Sequence, residues 1–242
     1  MYKFGETHPY ILQIILTLVA FGLAIGSYYA GEFFLDFPPI LTFLIGMIVV
    51  GLLLMLVFIK AFLGEKPKRS ILVAIPALLF VGWNIYYNLD AGNAISEVDW
   101  QIRAAITSLA IAIFYEVLCR GIFIWNLERN DYNVFGCMVF SSLFYILTYI
   151  PNLIGKDLLS AGLEAAYAFV VGLVMATVYL RNRRRLPIIL LRFLIELSSR
   201  IFVGQTGTYT QLQLIIFAAL LVVELLYANI VTLIGRKRNM EY

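Results

Sequence analysis

The feature that most constrains this chain is a series of long apolar runs, each separated from the next by a short polar segment. A helix needs roughly 20 apolar residues to cross the hydrocarbon core of a membrane, and a backbone inside a bilayer must satisfy its own hydrogen bonds, so each run predicts a transmembrane helix. The predicted segments are Ile11–Ala30, Ile40–Phe62, Ile71–Leu89, Arg103–Leu127, Val134–Ile150, Gly162–Leu180, Pro187–Val203 and Gln211–Ile234.

Composition supports this interpretation. Hydrophobic residues make up 62% of the 242 residues and charged residues only 14%, whereas a soluble domain is about half apolar and about a quarter charged. A soluble fold of this length could not bury so much apolar surface. The expected fold class is therefore an all-α integral membrane protein of about eight transmembrane helices, built as a single polytopic domain over residues 1–242.

The distribution of basic residues predicts the orientation. Lys and Arg accumulate in the short cytoplasmic loops of membrane proteins, and placing both termini in the cytoplasm puts thirteen of them inside and only Arg103 and Lys156 outside. This pattern favours a role in topology and gives no indication of nucleic acid as a partner; binding of anionic lipid by the basic clusters is the alternative. The inside set is Lys3, Lys60, Lys66, Lys68, Arg69, Arg129, Arg181, Arg183, Arg184, Arg185, Arg236, Lys237 and Arg238.

A second set of charges lies inside the predicted spans. An ionisable side chain facing lipid costs at least about 2.5–3.5 kcal/mol, so such residues usually face the bundle interior and indicate function. Three Glu and three Arg sum to zero, which would allow a neutral internal network if the fourth, seventh and eighth segments meet. The six residues are Glu116 and Arg120, then Arg192, Glu196 and Arg200, and finally Glu224. Several of them are four residues apart, on one face of a helix.

The fourth segment contains Tyr115-Glu116-Val117-Leu118-Cys119-Arg120-Gly121. This run resembles the first motif of the CPBP family of intramembrane proteases, also called Abi or CAAX-protease-like, which reads Glu-Glu-x-x-x-Arg. The run from Phe144 to Thr148 occupies the place of the family's Phe-x-x-x-His motif, and the run from Arg192 to Glu196 that of its His-x-x-x-Asn motif. The resemblance covers a motif core of about 103–204 and implies a similar eight-helix layout.

The sequence departs from these motifs at four positions. Tyr115 replaces the first Glu, Thr148 and Arg192 replace the two histidines, and Glu196 replaces the Asn, so Glu116 and Arg120 are the retained positions. Peptide hydrolysis needs a water activated by a general base or a metal. The single histidine of the chain is His8, ahead of the first span. Arg120 and Arg192 would repel a cation beside Glu116, so we predict neither a metal site nor a cofactor.

The favoured hypothesis is a non-catalytic CPBP/Abi-like protein, a pseudoenzyme that binds and regulates another membrane protein. The resemblance implies partners such as a sensor kinase, an envelope enzyme or a bacteriocin-immunity system, and a location in the bacterial plasma membrane. One alternative is a divergent intramembrane endopeptidase that uses Glu116 as its base; another is a transporter or channel, which rests only on the charges within the spans. Membrane lipid and a second membrane protein are the expected partners.

Overall fold

The fold consists almost entirely of helices. The computed structural model describes residues 7–34, 38–58, 71–153, 157–183, 185–203 and 209–239. The α-helices within these ranges are α1 (Pro9–Phe34), α2 (Pro39–Val57), α3 (Leu78–Asp90), α4 (Val98–Glu116, continued by Val117–Phe123 and Ile124–Arg129), α5 (Val134–Leu153), α6 (Leu158–Asn182), α7 (Leu186–Arg200) and α8 (Gln211–Asn239). Each predicted segment overlaps one of these helices.

Membrane-spanning character is clear for part of this set. Five helical stretches of the described residues are long and apolar enough to cross a bilayer, and a sixth apolar stretch, Val134–Ile146, is shorter. The chain is therefore a multi-pass, all-α membrane protein. The five stretches are Pro9–Ala30, Ile40–Val57, Val98–Arg129, Leu158–Asn182 and Gln211–Leu233. The basic loop that includes Lys66, Lys68 and Arg69 lies outside the described residues.

The third and seventh predicted segments include residues that are not α-helical. The third, predicted as one helix from Ile71, begins instead as a short 3-10 helix, Ile71–Ala74, and becomes α-helical only at Leu78. Pro76 lies in the interruption, and a proline there removes a backbone donor and clashes with the preceding turn. The seventh, predicted to reach Val203, ends as α7 at Arg200.

The residues after α7 form a small strand pair. Strand β2 (Phe202–Val203) pairs antiparallel with β1 (Ala94–Ile95), with Ile95 opposite Phe202. The Trp100 indole Nε1 also donates to the Arg200 carbonyl at 3.0 Å. Because β1 directly precedes α4 and β2 directly follows α7, these contacts place α4 and α7 side by side and antiparallel.

Capping residues fix both ends of α6. The Asp157 Oδ1 atom accepts hydrogen bonds from the backbone amides of Leu159 and Ser160, each at 3.0 Å, and its bonding to Ser160 holds the pKa of Asp157 below its usual value. At the other end Arg183 adopts a left-handed conformation with φ of 54°. A left-handed residue is a common way to end a helix, and here it turns the chain toward α7.

Two apolar clusters form the interior, and α4 contributes to both. One surrounds α1, α2 and α4 and includes Leu16, Met47 and Leu118. The other surrounds α6 and includes Phe123 and Val174. The middle of α4 therefore lies between the two clusters, in the most enclosed part of the described structure.

Candidate functional site

The retained motif residues lie where α4 changes its helical type. Val117–Phe123 is a π-helical segment inside an otherwise α-helical stretch. Such segments are rare and occur frequently at functional sites. Glu116 directly precedes the segment and Arg120 lies in it, with 4% and 1% of their surfaces exposed. The two side chains form an ion pair, with Arg120 Nη1 3.4 Å from Glu116 Oε1.

Side chains from two other helices bind the carbonyls of the π-helical segment. The Gln13 amide of α1 donates to the Leu118 carbonyl at 3.2 Å, and the Ser141 hydroxyl of α5 donates to the Cys119 carbonyl at 3.1 Å. An unsatisfied backbone group within a membrane costs several kcal/mol, so these donors stabilise the segment. They also fix the direction in which Arg120 projects from α4.

Arg120 reaches across to α6. Its Nη2 donates to the Gly172 carbonyl at 3.0 Å. A Cβ atom at position 172 would lie 3.1 Å from the Ser142 Cα, so a glycine there lets α5 and α6 approach closely. Small residues serve this purpose in membrane helix packing. The Arg120 guanidinium therefore links α4 to α6 at the position where α6 packs closely against α5.

A second ion-pair chain lies on α7. Glu196 bonds both of its arginine neighbours: Arg192 Nη2 donates to its Oε1, and Arg200 donates to its Oε2 from Nε at 3.2 Å and from Nη2 at 3.0 Å. Arg192 is fully buried, whereas 38% of the Arg200 side chain is exposed. The residues that replace the family's His-x-x-x-Asn motif are therefore bonded to each other.

Tyr145 of α5 connects the two ion-pair chains. The Arg120 guanidinium carbon lies 4.7 Å from the centre of the Tyr145 ring, and that of Arg192 lies 4.9 Å from it. Arginine over an aromatic face is attractive, by about 2 kcal/mol or more when desolvated, and the ring is fully buried. The fourth and seventh segments therefore lie close together, as expected. Each ion pair, however, is formed between residues of a single helix.

The structure places the remaining motif positions as follows. Tyr115 packs against Phe21 of α1 and, edge to face at 6.1 Å, against Tyr145. Thr148 belongs to α5, but its side chain lies outside the described residues. Glu224 of α8 makes no ion pair within the described structure. Within the described residues the ion pairs thus involve the fourth and seventh segments, and Glu224 takes no part in them.

A small cavity adjoins Glu116. About 10 Å³ is available to the centre of a water molecule, which is close to the space that one water requires. Both carboxylate oxygens of Glu116 lack a hydrogen-bond partner among the described residues, as do Nε and Nη1 of Arg120. The cavity lining consists of Glu116, Val117, Arg120, Arg185, Ile188 and Ile189. Its polar part can hold a water, and its size excludes a peptide backbone.

The donor set at this place does not suit a metal ion. Zinc sites use His, Cys and carboxylate ligands, and the described residues include no group of three or more such side chains close enough together. Arg120 and Arg192 both interact electrostatically with Glu116, and their positive charge opposes a cation. The side chains around Glu116 therefore do not form a site suited to metal-assisted hydrolysis.

The described basic residues at the end of α6 and just after it bond to the protein itself. Arg183 makes a two-pronged pair with Glu128, at 2.8 and 2.5 Å. Arg185 donates to the Tyr179 hydroxyl at 3.1 Å, and Arg181 donates to the Val231 and Thr232 carbonyls of α8. These contacts favour a structural role for the cluster over lipid binding.

Three parts of the site were not predicted from the sequence: the π-helical segment, its donors Gln13 and Ser141, and the bridging ring of Tyr145. A polar Gln within the first apolar run was the one available signal for Gln13. Tyr145 carries no such signal, because aromatic residues are abundant throughout this chain.

Comparison with protein families gives one match. Residues 97–198 match the family described as type II CAAX prenyl endopeptidase Rce1-like. This range contains the whole of α4, α5, α6 and most of α7, and hence all three motif positions. The resemblance to the CPBP family is confirmed by this match. Comparisons with curated proteins and with solved structures found no match.

Proposed function

We propose that this chain, a member of the CAAX-protease-like family through residues 97–198, is a non-catalytic member that works by binding and regulating another membrane protein. The helices would retain the family arrangement and provide a surface for that partner. The residues at the centre of the fold would hold the helices together instead of cleaving a peptide.

The observation that carries the proposal is the bonding of the motif positions to one another. Arg192 and Glu196 replace a histidine and an asparagine, and they form a buried ion pair. Glu116 and Arg120 form a second one, and the Tyr145 ring contacts both arginines. A general base must be within hydrogen-bond reach of its substrate's proton, and the described structure leaves space for about one water at this place.

The cavity also favours a second candidate, a divergent endopeptidase. Glu116 lines it with two oxygens that accept no hydrogen bond within the described structure, so a water held there could be activated by the carboxylate. Such an enzyme would need the helices to separate before a peptide could reach Glu116. The two candidates differ in whether a carboxylate at position 116 is required for function.

We predict that Glu116→Gln retains the cellular function of the protein. Glutamine is nearly isosteric with glutamate, and its amide oxygen can keep its place beside Arg120, whereas it cannot act as a base. Removal of a general base typically costs about 10²–10⁴-fold in rate. The measurement is the cellular phenotype at matched expression, together with the amounts of uncut and cut membrane proteins.

The control for folding is the double variant Glu116→Gln with Arg120→Gln. It removes both charges together, because the single variant leaves a buried guanidinium without its partner. A binding protein should tolerate the double change at least as well as the single one. A correctly inserted Glu116→Gln protein that has lost function while an uncut substrate accumulates would overturn the proposal in favour of the endopeptidase.

We also propose eight spans with both termini in the cytoplasm of a bacterial cell. Charge separation between the two ends of the described bundle supports this. Arg183 pairs with Glu128 at the ends of α6 and α4, while the exposed Glu97 directly precedes the opposite end of α4. Basic residues in short loops favour the cytoplasmic side.

The orientation predicts a labelling result. A cysteine introduced at Arg183 should not react with a membrane-impermeant maleimide in intact cells, whereas one introduced at Glu97 should react. Cells opened by detergent provide the control for accessibility at both positions. Reaction at position 183 in intact cells would reverse the proposed orientation.

The partner itself can be identified by affinity purification of this protein from native membranes, followed by mass spectrometry of the proteins that remain bound.

A further inference from the structure

Of the six charged residues that the sequence analysis placed within spans, Glu224 of α8 is the one outside the ion pairs of the described structure. It lies near the middle of the candidate membrane span Gln211–Leu233 and is fully buried. Both of its carboxylate oxygens lack a hydrogen-bond partner among the described residues. Glu116 is also buried without hydrogen bonds, but it has Arg120 at 3.4 Å. Glu224 and Glu116 are therefore both buried, and they differ in whether a described cation lies beside the carboxylate.

The titratable groups on the neighbouring helices are occupied elsewhere. On α6, Arg181 bonds the carbonyls of Val231 and Thr232, about two turns farther along α8, and Tyr179 accepts from Arg185. On α3, Asp90 accepts from Gln213 near the start of α8. The neighbour on α8 itself, Tyr227, donates its hydroxyl to the Val73 carbonyl.

The other ionisable side chains on α3 and α6 belong to an aromatic group near the opposite end of the bundle. Tyr87 interacts electrostatically with Glu164 and packs on Tyr209 at 4.8 Å. The rest of this group is formed by Tyr86, Trp83, Tyr167 and Phe217. None of the described basic side chains therefore compensates a negative charge at position 224.

We propose that Glu224 is a proton-binding site inside the membrane. An isolated ionised carboxylate is far more costly to bury than a neutral one, and in practice such a group takes up a proton. An ionisable residue within a membrane span is by default a functional-site hypothesis. The ligand of this site is a proton, and its chemical signature is a neutral carboxylic acid that water-soluble reagents cannot reach. The site is independent of the Glu116 network and of the proposed binding function.

Hydrophobic carbodiimides test this directly, because they react with protonated carboxyl groups in apolar surroundings. The full-length protein in native membranes is treated with dicyclohexylcarbodiimide and analysed by peptide mass spectrometry. We expect an adduct on Glu224 and none on Glu116, whose carboxylate is paired with Arg120. A water-soluble carbodiimide with glycine ethyl ester should instead label exposed carboxylates such as Glu97 and Asp99, and it should leave Glu224 unmodified.

Two variants complete the experiment. Glu224→Gln should lose the adduct and keep the thermal midpoint of the parent protein, because glutamine resembles the neutral acid. Glu116→Gln should keep the adduct on Glu224. The proposal is overturned if Glu224 remains unmodified in native membranes, or if Glu224→Gln lowers the thermal midpoint, since that loss would reveal an ionised carboxylate paired with a cation.

Discussion

Replacing Arg120 with leucine is expected to lower the free energy of unfolding by about 3–5 kcal/mol, since breaking a buried ion pair from one side leaves the other charge uncompensated. The change would leave Glu116 buried without its 3.4 Å partner. It would also remove the hydrogen bond to Gly172 of α6 and the contact with Tyr145 of α5. Unfolding of the purified protein in mixed micelles, titrated with a denaturing detergent, measures the difference.

Arg129 provides a matched control on the same helix. It lies over the Trp125 ring at 4.8 Å, but it is exposed, and an exposed contact of this kind contributes about 0.5–1 kcal/mol. Arg129→Leu should therefore have a small effect. If both leucine variants unfolded at the same detergent fraction, the charged centre would not be what holds α4, α5 and α6 together.

The sequence predicted the helices well because apolar length is a local property. Each long run contains a helix in the structure, since a membrane span is set by consecutive residues and needs no distant partner. The breaks in the pattern were harder to predict. Pro76 interrupts the third segment, and Phe202–Val203 leaves the seventh to pair with β1. The proline was a visible local signal, whereas the strand pair depends on residues about a hundred positions apart.

The number of helices that cross the whole membrane is harder to predict from the sequence than the helices themselves. The α3 helix, Leu78–Asp90, has 13 residues and α7 has 15, which is shorter than the roughly 20 that a simple span needs. The α7 helix also carries three charged residues, which form ion pairs with one another along one face of the helix. Such helices can be enclosed by longer neighbours, so composition alone does not distinguish a short span from a buried helix.

At the site, the charged residues and their spacing could be predicted from the sequence. The helix type and the hydrogen bonds that hold these residues in place could not. Glu116, Arg120, Arg192 and Glu196 were recognisable because charges are rare within apolar runs. The π-helical segment was not recognisable, since the donors to its carbonyls come from Gln13 and Ser141, which are 105 and 22 residues away from the carbonyls they bind. A helix type that depends on tertiary hydrogen bonds leaves no periodic pattern in its own residues.

The Tyr145 ring contacts an arginine from each of the two ion-pair helices, α4 and α7. We predict that Tyr145→Leu lowers the free energy of unfolding by about 4 kcal/mol, because each desolvated contact between an arginine and an aromatic face contributes about 2 kcal/mol. Two such contacts, from Arg120 and Arg192, would be lost together. The same detergent titration measures the change, at neutral pH and with matched insertion.

Tyr145→Phe separates the ring from its hydroxyl. Phenylalanine keeps the aromatic face toward both guanidinium groups, so we expect it to retain most of the stability that the leucine variant loses. Combining Tyr145→Leu with Arg120→Leu completes a double-mutant cycle, in which residues in contact typically show about 0.5–3 kcal/mol of interaction energy. Two arginines close to one ring repel each other unless the ring and the carboxylates of Glu116 and Glu196 compensate them. Strictly additive losses, or a phenylalanine variant as unstable as the leucine variant, would contradict this account and would leave direct packing of α4 on α7 as the source of their association.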